Sequence, residues 1–161
     1  MLKFKAELVE RKGNVGSMPF TSMLVTFNQR IKDWRGFWAT VFIPRYTEKI
    51  QQNFETEGEL SGYTFGWPDL NPAYAAWKAR HFPGTKILER TRELRESLAP
   101  GGNSNTVIEA GPTSLRFGTR VTYARFHQQT RPFLPRITVA EWTPLAREWV
   151  MQQAKESGLS A

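Results

Sequence analysis

Five arginines, Arg116, Arg120, Arg125, Arg131 and Arg136, lie between Glu109 and Glu141 in a window with no acidic residue and no lysine. Phe117, Tyr123, Phe126 and Phe133 are interleaved with them. Guanidinium groups make bidentate contacts with carboxylates and phosphates and stack on aromatic faces. The window therefore reads as a surface for an acidic protein partner or for phosphates. A plainer alternative stays open, in which these arginines stand on the outer faces of strands and their stems cover apolar surface. The candidate partner-interface residues are Arg116, Arg120, Arg125, Phe126, His127, Arg131, Phe133 and Arg136.

Other chemistry is hard to assemble from this chain. It holds two Asp, Asp33 and Asp69, and thirteen Glu, most of them flanking Lys or Arg on predicted helices. General acid–base catalysis needs two carboxylates brought into one cleft. No pair is singled out here, and solvated helix faces with weak i,i+4 pairing account for the pattern. His81 and His127 lack the paired spacing of a metal site. Gly101-Gly102 follows a predicted helix and precedes a predicted strand, the wrong context for a phosphate-cradling loop. There is no Cys, hence no thiolate chemistry and no disulfide. A non-enzymatic protein without cofactor or metal is expected.

With 161 residues, 40% hydrophobic and 13% aromatic, the chain has enough apolar material for one domain spanning 1–161. No apolar run approaches the roughly 20 residues that span a bilayer. The opening Met1-Leu2-Lys3-Phe4-Lys5 has no apolar core behind it. We expect a soluble intracellular product with no membrane partner. The net charge of +7 invites an alternative, a nucleic-acid-binding domain using the Arg-rich 116–136 segment. Mixed charge over the rest of the chain tempers it.

The elements that must position these residues follow from periodicity. Leu2, Phe4, Ala6 and Leu8 alternate with charged residues as in a half-buried strand, and Arg11 to Ser17 reads as a loop. The stretch 18–26 stays open. From Phe27 to Glu57 the period is helical, with Phe27, Ile31, Trp34, Trp38, Phe42, Tyr46, Ile50 and Phe54 on one stripe. Pro44 predicts a kink, or two helices meeting there. Gly58 to Gly66 is a polar connection. Asn71-Pro72 caps a short helix carrying Tyr74 and Trp77, which Pro83-Gly84 ends. A second short helix carries Ile87, Leu88, Leu94 and Leu98, closed by Pro100-Gly101-Gly102.

Pro100 to Asn105 reads as a mobile loop. Thr106–Ala110 and Ser114–Thr119 read as paired strands, Tyr123–Gln128 as one helical turn, and Arg131–Arg136 as extended. A C-terminal helix starts at Thr143-Pro144, or earlier at a Thr138/Glu141 capping box, with Leu145, Trp149 and Val150 or Met151 as its stripe. Trp34, Trp38, Trp67, Trp77 and Trp149 read mostly as core, although six Trp is a rich complement, and aromatics with Arg are what interfaces use. The expected fold is α+β: a long, kinked helix and a C-terminal helix packed on a small antiparallel sheet, with two short helices between.

In chain order, Trp67 and Leu70, Tyr74-Ala75-Ala76-Trp77-Lys78, Ile87-Leu88 with Leu94 and Leu98, Phe117-Gly118-Thr119, Tyr123–Gln128 and Arg131–Leu134 together resemble the virion-morphogenesis, or tail-completion, proteins of Mu-like and related tailed phages. The family carries Trp-x-x-Leu, then Tyr-Ala-x-x-Lys, then Ile-Leu-x-x-Thr-Gly-x-Leu-x-x-Ser-Leu. This chain has Trp67 and Leu70, Tyr74-Ala75-Ala76-Trp77-Lys78, and Ile87-Leu88 with Thr91, Leu94 and Ser97-Leu98. The family's long helix closes on Phe-x-x-x-Gly, here Phe54 to Gly58. Its later run of Phe-Gly-Thr, Tyr-Ala-x-x-His-Gln and Arg-Pro-Phe-Leu is matched at Phe117–Thr119, Tyr123–Gln128 and Arg131–Leu134. Two positions depart: Arg92 stands where the family has Gly, and Gln129-Thr130 replace a Gly after His-Gln.

The resemblance spans about Trp34 to Leu145 and implies a structural virion protein at the head-proximal tail end or neck. It would act there in tail completion and head–tail joining as one subunit of a homo-oligomeric ring, for which a hexamer is expected. Its partners would be other neck and tail proteins, with passive contact with DNA in the channel. Such a protein resides in the virion and, during assembly, in the host cytoplasm.

Overall fold

The computed structural model describes residues 19–61 and 66–159. The strand expected at 2–8 and the loop at 11–17 lie outside the described residues, as do 62–65 of the Gly58–Gly66 connection. The chain runs through helix α1 (Phe20–Ile31), the short α2 (Arg35–Phe37), a π-helical segment (Trp38–Phe42) and α3 (Ile43–Glu55). A 3-10 turn (Glu59–Ser61) follows, then α4 (Pro72–His81) and α5 (Glu93–Ser97). Strands β1 (Thr106–Ala110) and β2 (Leu115–Thr119) precede α6 (Ala124–Thr130) and α7 (Val139–Glu156). The fold is α+β, with helices forming the core and a small antiparallel sheet beside them whose register runs from Thr106 opposite Thr119 to Ala110 opposite Leu115.

The long helical stripe breaks in a different place from the one its proline suggests. Much of the open stretch 18–26 belongs to α1, and the chain turns at Lys32–Trp34. There the Asp33 carboxylate accepts from the Arg35 backbone N–H at 3.1 Å and from its guanidinium, which holds the Asp33 carboxyl down at about 2. Pro44, by contrast, sits in the first turn of α3 without interrupting it. The π-helical turn just before it is the reason. Ile43 donates to the Trp38 carbonyl, five residues back, so the wider turn makes room where a proline ring would otherwise meet the preceding turn.

One face of this run supplies a large share of the core: Phe37, Phe42, Tyr46, Ile50 and Phe54 are buried. Helix α7 packs along it. Trp149 meets Trp34 with ring centroids 5.1 Å apart, and Trp142 meets Phe42 at 4.4 Å. The sheet joins through Phe117, edge-on to Tyr46 at 5.8 Å, and through Trp38, whose indole donates to Gly111 O at 3.1 Å. Helix α7 begins at Val139 behind Thr138, so Pro144 falls inside the helix rather than at its start. Thr138 makes no side-chain cap. The buried stripe of α7 is Trp142 and Trp149, flanked by Leu145, Ala146 and Val150, while Met151 is exposed. Of the tryptophans read as core, Trp67 and Trp149 are buried, Trp34 and Trp38 pack against the core, and Trp77 is exposed.

The end of α3 is fixed twice. Glu57 N–H donates to Phe54 O and Gly58 N–H to Asn53 O, with Glu57 and Gly58 both at positive φ, the left-handed turn that satisfies the last carbonyls of a helix. Asn53, fully buried, accepts from Leu60 N–H at 3.0 Å and donates to Phe133 O at 3.1 Å. A buried amide with its donors and acceptor engaged ties three segments at one point.

The corner after α4 corrects the sequence reading. Asn71 does cap α4, accepting from Ala73 N–H at 3.0 Å. The second helix is only Glu93–Ser97. Ile87 and Leu88 belong to the turn before it, because Leu88 (φ 64°) and Arg92 (φ 59°) adopt the left-handed conformation that no α-helix continues through. The loop expected to be mobile at Pro100–Asn105 is closely hydrogen-bonded. Asn103 N–H donates to Thr106 Oγ1, Asn105 N–H to Asn103 Oδ1 and Gly102 N–H to Ala99 O, at 2.8, 2.8 and 2.9 Å. Helix α6 runs to Thr130, longer than the single turn expected.

Candidate partner-binding site

The arginine window divides into groups with different work. Arg116 on β2 stands opposite Glu109 on β1 and pairs with it at 3.3 Å, both side chains largely exposed. Such a pair contributes about 0–1 kcal/mol. Arg120, Arg125 and Arg136 are exposed and form no ion pair with a described carboxylate. Arg125 lies 4.6 Å from the centroid of Phe126, itself about half exposed, which makes a surface cation–π pair on α6.

Arg131 is a clamp. Its Nε donates to Pro68 O at 2.9 Å and its Nη2 to Asp69 O at 2.8 Å, holding the segment before α4 against the chain after α6. Phe133 leaves the interface set altogether: it is buried and packs on Phe54 at 6.1 Å. Its backbone explains why. Gln128 Oε1 accepts from the N–H groups of both Phe133 and Leu134 at 3.1 Å. The Pro132 and Pro135 carbonyls accept from the Trp67 indole at 2.8 Å and the Tyr46 hydroxyl at 2.9 Å. The extended Arg131–Arg136 segment is thus pinned into the core on several sides.

His127 is half-buried beside Tyr123, ring centroids 5.6 Å apart and edge to face. Burial, helped by the nearby Arg131 charge, lowers its pKa below the usual histidine value, so the imidazole is neutral at neutral pH.

His127 and Arg131 line one wall of a cleft of about 650 Å³. Leu70, Asn71, Tyr74 and Lys78 form a second wall from the α4 side, and Leu88, Arg90, Thr91 and Glu93 come from the corner before α5. Residues from three stretches far apart in sequence therefore converge there. They include Leu70, Tyr74, Lys78, Leu88 and Thr91 of the first motif group and Tyr123, His127 and Arg131 of the last. Arg116, Arg120, Arg125 and Arg136 do not line it.

Beneath the cleft lies a charged network that pattern reading missed. Lys78 is the only buried residue of α4 and donates its Nζ to Lys86 O. Burial lowers its pKa, opposed by Glu57 and Glu89. Glu89 is 3% exposed and pairs with Arg95 at 2.6 Å, while Arg95 also reaches Glu55 at 2.8 Å and Gln51 at 2.8 Å. Glu57 Oε1 accepts from Ile87 N–H at 2.8 Å. Glu57 and Glu89 are not on the solvated helix faces expected of the glutamates. They anchor the turn that carries Leu88 onto the end of α3. The signal for Glu89 was weak, a lone acid before Arg90, and only the fold brings Arg95 to it.

The outer face of α4 carries a ladder of rings. Tyr74 stacks on Trp77 at 5.6 Å and Trp77 on His81 at 4.7 Å, with Tyr74 and Trp77 each about 40% exposed. No three His, Asp or Glu side chains among the described residues gather to hold a metal ion, and no described helix is long and apolar enough to cross a membrane. No family model, curated protein or solved structure matches this chain.

Proposed function

We propose that this protein is a structural, non-enzymatic virion component of a tailed phage. In this reading it acts at the head-proximal end of the tail or at the neck, as one subunit of a ring that completes the tail and joins it to the head. The observation that carries the reading is the fate of the residues behind the resemblance. Trp67 and Arg131 bond to backbone of each other's motif segments and hold the two together, and Leu70, Tyr74, Lys78, Leu88, Thr91, Tyr123 and His127 of the motifs line one cleft with Arg131, beside the exposed ring ladder of α4. A helix of this length is marginal without packing. With one buried residue, α4 keeps most of its surface open to a neighbouring subunit, which supports this reading.

Rings require heterologous contacts, in which two different patches of one subunit meet. The ring ladder with its cleft is one such patch. The apolar side of α1, where Phe20, Leu24 and Val25 are exposed, is a second on a different element. The neighbours above and below are other neck and tail proteins, and the free arginines Arg120, Arg125 and Arg136 face them or the DNA in the channel. The test is electron cryo-microscopy of purified virions from the phage that encodes this chain. Density for α4 and the β1–β2 hairpin in a ring at the neck is expected, and virions that lack the protein and still join head to tail would overturn the reading.

A further inference from the structure

We propose that the cleft between α4, the corner before α5 and α6 receives an extended segment of a partner protein that presents a carboxylate beside an aromatic or aliphatic side chain. The inference rests on the assembly reading only in taking the partner to be a protein.

Five observations carry it. The volume, about 650 Å³, suits a few side chains rather than a flat contact. Its lining is one-sided in charge: Lys78, Arg90 and Arg131 stand against Glu93 alone, and Glu93 already accepts from Asn105 Nδ2 at 2.9 Å. Two of the cations have donors to spare. Arg131 spends Nε and Nη2 on backbone carbonyls, which leaves Nη1 without a described partner, and Arg90 forms no ion pair among the described residues, its guanidinium lying 6.0 Å over the Phe82 ring. Between these cations sit apolar and aromatic walls, Leu70 and Leu88 with Tyr74 and Tyr123.

Leu88 supplies the fifth observation. It is held at φ 64°, a left-handed conformation that strains a residue bearing a Cβ. Strain of this kind gathers where a binding surface needs a side chain in one place. Glycine would relieve it, but would take away the apolar wall. A carboxylate paired with guanidinium and flanked by rings is the contact that the Arg, Tyr and Leu mixture makes best in protein interfaces. A nucleic-acid strand favours an open basic track along its backbone instead.

The test is selection of a random displayed peptide library on the full-length protein. Enrichment of Asp or Glu next to Phe, Tyr, Trp, Leu or Ile is expected. The best peptide, synthesised, should weaken about tenfold or more when its acid is changed to the amide, and by a similar factor on Arg90→Ala. Leu88→Gly should weaken it too while the protein stays folded, because glycine suits that backbone. Enrichment without acid, affinity unchanged in both variants, or no enrichment would overturn the proposal. So would tighter, salt-steep binding of oligothymidylate to the same cleft. Because the selection uses the isolated chain, its result is independent of the virion imaging: an acidic peptide bound by a protein absent from the neck supports the cleft and overturns the tail reading.

Discussion

A Cβ on Gly58 would lie 2.2 Å from Cδ1 of Trp67, far inside van der Waals contact with the indole ring. The two residues flank the connection after α3, and the ring lies flat on bare backbone that is already at φ 99°. Trp67 in turn packs on Phe54 at 5.5 Å and donates to Pro132. Gly58→Ala should therefore lose about 1–3 kcal/mol from overpacking, with a further ~1 kcal/mol from the left-handed backbone. Gly118→Ala, where nothing lies within 4 Å, is the control and should change the Tm little. Equal Tm values for the two variants would contradict the packing described.

Arg92 offers the opposite experiment. Its φ of 59° places a side-chain-bearing residue where glycine fits best. Arg92→Gly should leave stability unchanged or raise it by up to about 1 kcal/mol, the relieved strain set against greater freedom of the unfolded chain. Arg92→Ile, β-branched, should lower it by about 1–2 kcal/mol. Urea denaturation of both variants checks the sign.

Tyr46 makes alkaline stability predictable. Burial raises its pKa to about 12, with a smaller push from Glu141. The unfolded chain ionises near the ordinary tyrosine value of about 10. Unfolding thus releases the proton more readily, so the contribution of Tyr46 is complete below pH 10 and is lost as pH rises toward 12. Tyr46→Phe should flatten stability over that window and cost roughly 1 kcal/mol at neutral pH for the lost bond to Pro135 O. Thermal denaturation at pH 8, 10 and 11 would test both parts.

The exposed arginines separate a DNA surface from a protein surface. If Arg120, Arg125 and Arg136 neutralise phosphates, duplex affinity should fall with a log–log salt slope near −0.9 per contact. We expect weak duplex binding without that slope, and a loss of head–tail joining in Arg125→Ala and Arg136→Ala with the Tm unchanged. Arg131→Ala should behave otherwise and lower the Tm, because it releases the Pro68 and Asp69 carbonyls. Salt-steep duplex binding with normal virion yield from the first two variants would favour the nucleic-acid reading.

The isolated protein should be monomeric or weakly associated, and form its ring only against a partner template. Light scattering at micromolar concentration is the measurement, and a stable closed dimer that persists in virions would oppose the heterologous geometry.

Much of the architecture was legible because it is local. Helical period fixed the face of α3 that holds Tyr46, Ile50 and Phe54, alternation fixed which side of β2 holds Leu115 and Phe117, and Asn71-Pro72 marked the start of α4. Each of these depends on neighbours within a few residues. The misplaced elements are those where distant groups decide. Ile87 and Leu88 have a helical pattern, yet Glu57 and the buried Lys78 bind the two ends of the Lys86–Ile87 peptide just before Leu88 and hold the chain in a turn. Pro44 looked like a break until the π turn at Trp38–Phe42 absorbed it.

The site followed the same division. Residue types alone picked out an arginine window rich in aromatics, and His127 and Arg131 within it do line the cleft. Sequence could not say that Phe133 faces inward, since an extended segment between two prolines has no period to read. Nor could it say that Arg131 is spent on two carbonyls, or that Leu70, Leu88 and Tyr123 line one cleft. Those relationships span tens of residues and exist only once Asn53, Trp67 and Tyr46 have drawn the 131–136 segment into the core. The sequence determined which residues favour which local conformation, and the tertiary structure decided which of them meet, because burial of one polar partner obliges the other to come to it.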